Sequence, residues 1–251
     1  MPPALHDVII DLPLDDSTPG LRGVLGVPDG PGPHPAVIVV HEAFGPTREM
    51  RDQVEHLARL GYLALMPDLF TAGGFVRCIG ATARAMSRGT GRAWADIEAS
   101  RRWLAGREDF SGATGIIGFC MGGGFALLAG TRGYDGGASP YEAAAVNYGI
   151  LPADLDEIEH SCPVVASYGS ADKTVRDAPP RLEALYTRLG VPHDVKEYPG
   201  AGHAFMNERF TGPAIIHPFQ RVMGIAPDPA AAADAWVRIA AFFDAHGLER
   251  A

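Results

Sequence analysis

The chain has 251 residues, 47% of them hydrophobic, enough for one large domain with a substantial buried core. Its formal net charge of -9 argues against nucleic acid or an anionic membrane surface as a partner, but leaves an anionic small molecule open, because charge in a cleft can oppose the net sign. Three cysteines with no Cys-x-x-Cys pair leave one unmatched in any disulfide scheme, so structural disulfides and zinc are not expected.

In chain order, apolar runs at 8–12 and 22–27 predict an opening hairpin, followed by a Pro/Gly-rich turn over 28–35. Further strands are predicted at 36–40, 62–66, 114–117, 143–146, 164–168 and 193–198. Helical spacing fits 48–59, 91–105, 122–128, 179–188 and 230–246, the last entered through an alanine-rich turn that starts at Pro229. The segment 68–89 carries Gly73, Gly74 and Gly80 and is expected to be a loop with a short helix over the site. Strands alternating with helices predict an α/β protein, a single domain over 1–251 with an eight-stranded, mostly parallel sheet covered by helices on both faces. The amino-terminal residues lack a basic segment followed by an apolar stretch, and no apolar run approaches membrane-spanning length, so the expectation is a cytoplasmic protein, monomeric or a small homo-oligomer, with no membrane partner.

The most informative stretch is Thr-Gly-Ile-Ile-Gly-Phe-Cys-Met-Gly-Gly-Gly, a buried strand turning sharply into a helix with Cys120 at the apex. Side chains two residues before or after so tight a turn would collide, and Gly118 and Gly122 stand at those positions. The turn aims the Met121 N–H toward an oxyanion formed beside the sulfur, while the helix dipole favours thiolate. Taken alone, the stretch also fits a buried structural cysteine. A thiol nucleophile needs a base and the base an orienting acid, and both follow at the ends of later strands: Asp172 in Gly-Ser-Ala-Asp and His203 in Pro-Gly-Ala-Gly-His. The order nucleophile, acid, histidine is the one α/β-hydrolases use. The loop after the strand at 36–40, His-Glu-Ala-Phe-Gly, offers the Ala43 N–H as a second oxyanion donor.

Four motifs in this order, His-Glu-x-Phe-Gly, Met-Pro-Asp-Leu-Phe, Gly-Phe-Cys-Met-Gly-Gly and Gly-His-Ala-Phe, resemble the dienelactone hydrolase family across about 8–243. The resemblance implies the α/β-hydrolase fold, a triad of Cys120, Asp172 and His203, oxyanion donors Ala43 and Met121, and a Glu42 that meets the resting thiol and helps deprotonate it when substrate arrives. It also implies hydrolysis of a small lactone or activated ester through a thioester, with no metal or organic cofactor. The family holds its substrate carboxylate with two arginines, and at the corresponding positions this chain has Ala72 and Asn207. Arg77 and Arg209 lie nearby in sequence as substitutes or as surface residues. Phe44, Phe75, Phe205 and Met206 either line an apolar pocket or belong to the core; Cys162 is expected in the core, and Cys78 either reactive or buried. Two other readings stay open: an acyltransferase or thioesterase on the same scaffold, and a noncatalytic protein in which Cys120 senses redox state.

Overall fold

In the computed structural model, which describes residues 3–152, 155, 158–210, 215, 217–222 and 224–250, the apolar runs pair into an eight-stranded sheet. Its strands are β1 (Ala4–Ile10), β2 (Leu21–Val27), β3 (His34–Val40), β4 (Leu63–Pro67), β5 (Phe110–Phe119), β6 (Ala144–Asn147), β7 (Val164–Gly169) and β8 (His193–Tyr198). They lie in the order β1-β2-β4-β3-β5-β6-β7-β8, with β1 and β2 antiparallel to their neighbours and every later pairing parallel. Strands β3, β4, β6 and β7 are buried along their whole length, as their unbroken Val, Ile, Leu and Ala runs require.

Helices cover both faces. On one, α1 (Arg48–Arg59) and α7 (Pro229–Ala245) bury Met50, Val54, Leu57, Trp236, Ile239 and Phe243. On the other, α2 (Gly74–Arg88), α3 (Arg92–Ala105), α4 (Met121–Thr131) and α5 (Ala178–Leu189) bury Met86, Trp94, Ile97, Phe125, Leu182 and Tyr186. Each such side chain contributes about 1.5–3 kcal/mol by leaving water. Local signals set the helix starts: Thr47 Oγ1 accepts from the Met50 N–H ahead of α1, and Asp228 accepts from the Ala230 and Ala231 N–H groups ahead of Pro229. The short α6 (His217–Val222) has no counterpart among the sequence expectations.

Two further elements differ from expectation. The first strand runs Ala4–Ile10 rather than 8–12, because its register is fixed by β2, from Ala4 opposite Val27 to Ile10 opposite Leu21. The segment 68–89, expected to be a loop with a short helix, is a loop to Gly73 followed by a helix longer than expected, the 15-residue α2. Gly80 inside it costs about 1 kcal/mol of helix propensity. Tertiary packing offsets this: Thr82, Ala85 and Met86 are buried, and the absence of a side chain at Gly124 lets Met86 reach the α4 backbone.

The strand order fixes where chemistry can sit. From β3 the chain crosses to β4 on one side, whereas β5 lies on the other side and leads away to β6, β7 and β8. The loops leaving β3 and β5 therefore diverge and open a crevice at the carboxyl end of the sheet. The matched pair Val40 and Gly118 lies at that end, so Glu42 and Cys120 each stand two residues beyond it.

Candidate active site

Strand β5 ends at Phe119 and α4 begins at Met121, which leaves Cys120 to make the turn at φ 56° and ψ -117°. The surrounding backbone imposes this conformation: the Cys120 N–H donates to Asn147 O at 3.0 Å and the Gly123 N–H donates to Cys120 O at 3.0 Å. A Cβ on Gly118 would lie 1.9 Å from Gly122 O, and one on Gly122 would lie 2.1 Å from Val40 O and 2.8 Å from His41 O. The glycines thus let the β3 loop, carrying Glu42 and Ala43, press against the turn. Among the described residues the non-glycine positions with positive φ are Cys120, Tyr148 and Ala204, all at this place, where strain is held by the fold around it.

Asp172 and His203 arrive from β7 and β8. His203 Nδ1 lies 2.5 Å from Asp172 Oδ2, with the carboxylate 1% and the imidazole 13% exposed. The other carboxylate oxygen, Oδ1, accepts from the Thr174 N–H at 2.9 Å and its hydroxyl at 2.6 Å. Burial opposes charge on Asp172, but the His203 and Thr174 hydrogen bonds outweigh it and hold the carboxyl below its usual range. Burial likewise opposes the imidazolium, and hydrogen bonds to Asp172 and to the Cys120 side chain overcome it, pushing His203 up to about 10. Asp172 and His203 thus form a hydrogen-bonded pair, and the Cys120 side chain lies close enough to raise the proton affinity of His203. The backbone of His203 is pinned as well: its N–H donates to Gly224 O at 2.8 Å and its carbonyl accepts from Ala226 N at 3.2 Å.

Glu42 is buried, and its Oε2 accepts from Asn207 Nδ2 at 3.3 Å. Gln53 Nε2 in turn donates to Met206 O at 2.9 Å and lies 3.4 Å from Asn207 Oδ1. The Ala43 and Met121 N–H groups donate to no protein acceptor among the described residues. The remaining sequence candidates fall elsewhere. Phe205 and Met206 are buried in the core, Phe205 against Tyr148 and Tyr198, so neither is a pocket wall. Asn207 is engaged with Glu42, and Arg209 is ion-paired with Asp52 and Glu208. Phe44 and Phe75 are both exposed and stack at 6.1 Å, which joins the β3 loop to α2. Arg77 faces a cleft between α2 and α3 that Cys120 does not line. Cys162 is buried and Cys78 half-buried, with its Sγ 3.7 Å from Phe70 O.

Sequence reasoning missed Asn147, Tyr148 and Thr174. The Tyr148 ring meets His203 edge-on at 5.1 Å, its buried hydroxyl has no hydrogen-bond partner among the described residues, and burial with the charges of Glu42, Cys120 and Asp172 drives its phenol far above the usual range. The only available signal was position: Asn-Tyr-Gly leaves β6, the strand beside β5.

This strand order, with a sharp turn after β5 and later loops converging on it, defines an α/β-hydrolase fold. Solved structures agree on the fold: a dienelactone hydrolase from Anabaena variabilis superposes with a TM-score of 0.67 at 16% identity, covering 98% of this chain and 99% of that one. A dienelactone hydrolase-like promiscuous phosphotriesterase from metagenomic libraries gives 0.72 at 22% identity, covering 97% and 98%. The profile of the dienelactone hydrolase family matches residues 21–247, and the chain belongs to that family of ester and lactone hydrolases. Among curated relatives, the carboxymethylenebutenolidase of Rhodococcus opacus is 26% identical over 90% of this chain and 88% of its own. That of Pseudomonas putida is 26% identical over 72% and 78%.

Proposed function

We propose that the protein hydrolyses a small, uncharged lactone or activated ester with Cys120 as nucleophile, His203 as base and acid, and Asp172 as its orienting group. The observation that carries this reading is the buried Asp172–His203 pair at 2.5 Å, with Cys120 on a strained turn close enough to raise the proton affinity of His203. His203, pushed up to about 10, is suited to hold the proton that Cys120 gives up as its sulfur attacks. The thiolate adds to the carbonyl carbon and the oxyanion is received by the Ala43 and Met121 N–H groups. Collapse breaks the C–O bond, and the leaving oxygen takes the Nε2 proton of His203. Thioester formation removes the negative charge beside His203, which lowers its proton affinity and frees it to take a proton from water. Water attack regenerates a tetrahedral oxyanion, which expels the thiolate and releases the acid. Sulfur competes as a leaving group, so enol-lactones and activated esters react whereas peptides and alkyl esters do not. Glu42, buried at the exit of β3, would modulate the thiol through its charge.

An uncharged substrate is favoured because the arginine positions expected to hold a carboxylate are Ala72 and Asn207, the latter committed to Glu42, while Arg209 is neutralised by Asp52 and Glu208. Exposed Phe44 and Phe75 offer an apolar approach instead. The test is steady-state hydrolysis of p-nitrophenyl acetate and of dienelactone by the wild type and Cys120→Ala, with mass spectrometry of the quenched enzyme for an acyl adduct on Cys120. Turnover of p-nitrophenyl acetate with an adduct, both lost in the variant, is expected. Turnover that survives in Cys120→Ala would overturn the thiol mechanism, and dienelactone turned over far better than the neutral ester would overturn the uncharged-substrate reading.

A further inference from the structure

Beside α2, away from Cys120, lies a cleft of about 510 Å³ bounded by Leu69–Gly73, α2 and the start of α3. None of Glu42, Cys120 or His203 lines it. Four of its walls are arginines: Arg77, Arg84 and Arg88 on α2 and Arg92 at the start of α3. On α2 the spacings of seven and eleven residues bring these side chains back to within about 20° of one line, so they form a single cationic face. Phe75, two residues before Arg77, lies about 200° around the helix and faces Phe44 and Phe70. The helix therefore turns an aromatic side toward the β3 loop and an arginine side toward α3.

Among the described residues none of the four guanidinium groups is ion-paired, and no carboxylate lines the cleft. Arg92 feels the charge of buried Asp96 without forming an ion pair with it, since Asp96 is hydrogen-bonded to Thr18 at 2.6 and 2.8 Å. Elsewhere Arg22, Arg51, Arg107, Arg238 and Arg250 are each matched to a carboxylate. In a chain of net charge -9, four exposed arginines around one concavity make a local positive field that favours an anion there. Planar guanidinium groups suit oxyanions, which they grip through paired N–H donors. Small, uncharged Ala72, Gly73 and Ala81 leave room between them.

We propose that this cleft binds a small molecule bearing two or more neighbouring oxyanion groups, either a phosphate compound or a polycarboxylate, at a site separate from Cys120. The test is calorimetric titration of the full chain at pH 7 and low salt with pyrophosphate and, separately, with citrate. Binding of one anion per chain is expected, weakening as salt is added. Affinity should fall roughly tenfold or more in Arg84→Gln/Arg88→Gln, and stay unchanged in Arg181→Gln on α5. The exposed positions of Arg84 and Arg88 predict folded variants, checked by thermal unfolding, and the single variants carry the test if the double one is unstable. The tighter of the two anions identifies the phosphate or the carboxylate source. No saturable binding of either anion, or binding indifferent to Arg84 and Arg88, would overturn the proposal. So would competitive inhibition of ester hydrolysis at the same anion concentration, which would place the anion at Cys120. The titration does not depend on turnover, so its result is independent of the mechanism proposed for Cys120.

Discussion

Replacing Asp172 by Asn tests the tautomer of His203. The Thr174 N–H and hydroxyl both point at Oδ1 of Asp172, and a backbone N–H can only donate. The amide oxygen of Asn must therefore take the Oδ1 place, which leaves its NH₂ group facing Nδ1 of His203. Nδ1 becomes an acceptor, Nε2 holds the proton, and the ring can no longer take one from Cys120. The difference between about 10 and an ordinary 6.5 for His203 corresponds to roughly 5 kcal/mol in favour of imidazolium, contributed by Asp172 and Cys120 together against the cost of burial. Loss of the carboxylate removes a large share of it, and kcat/KM should fall on the order of 10³ to 10⁴. Steady-state p-nitrophenyl acetate hydrolysis measures this, with circular dichroism to show that the variant is folded. A folded Asp172→Asn enzyme within about threefold of wild type would refute the tautomer reasoning.

Gly118→Ala places a Cβ 1.9 Å from Gly122 O, backbone against backbone, and should destabilise the protein by about 3 kcal/mol or more in urea unfolding; an unchanged midpoint would mean the turn is looser than described. Histidine NMR titration of Cys120→Ala should show His203 titrating lower than in the wild type, because the Cys120 side chain that favours imidazolium is gone while Asp172 remains. The sign for stability follows: a raised His203 stabilises the fold fully below about pH 6.5, and this is lost as pH passes through about 10. Asp172, whose proton affinity is lowered, contributes above its unfolded value and loses that contribution on acidification. Chemical denaturation across pH should therefore show a decline at both ends. Arg209→Gln should leave KM for a neutral ester within about twofold, since its half-exposed ion pairs with Asp52 and Glu208 are worth little and bind no substrate.

Much of the fold was legible because its signals are local. Unbroken apolar runs such as 36–40 and 164–168 can only be strands buried on both faces, and the chain order of Cys120, Asp172 and His203 survives folding unchanged. Gly118 was readable for the same reason, since its close approach to Gly122 arises within five residues of chain, whereas Gly122 is pressed by Val40 and His41 of the distant β3 loop. The residues that tertiary structure alone decided owe their places to distant partners. Helix α2 forms against its own glycines because Met86 packs on α4. Asn207 becomes the partner of Glu42 across 165 residues, and Arg209 is taken up by Asp52, neither of which appears in any local pattern. Tyr148 reaches His203 only because β6 lies beside β5, and Arg77 shares a cleft with Arg92 only because α2 folds back along α3. Sequence sets which groups are available and in what order strands deliver them; which of those groups meet, and which are spent on one another before a substrate arrives, depends on contacts whose free energy exists only once the sheet has assembled.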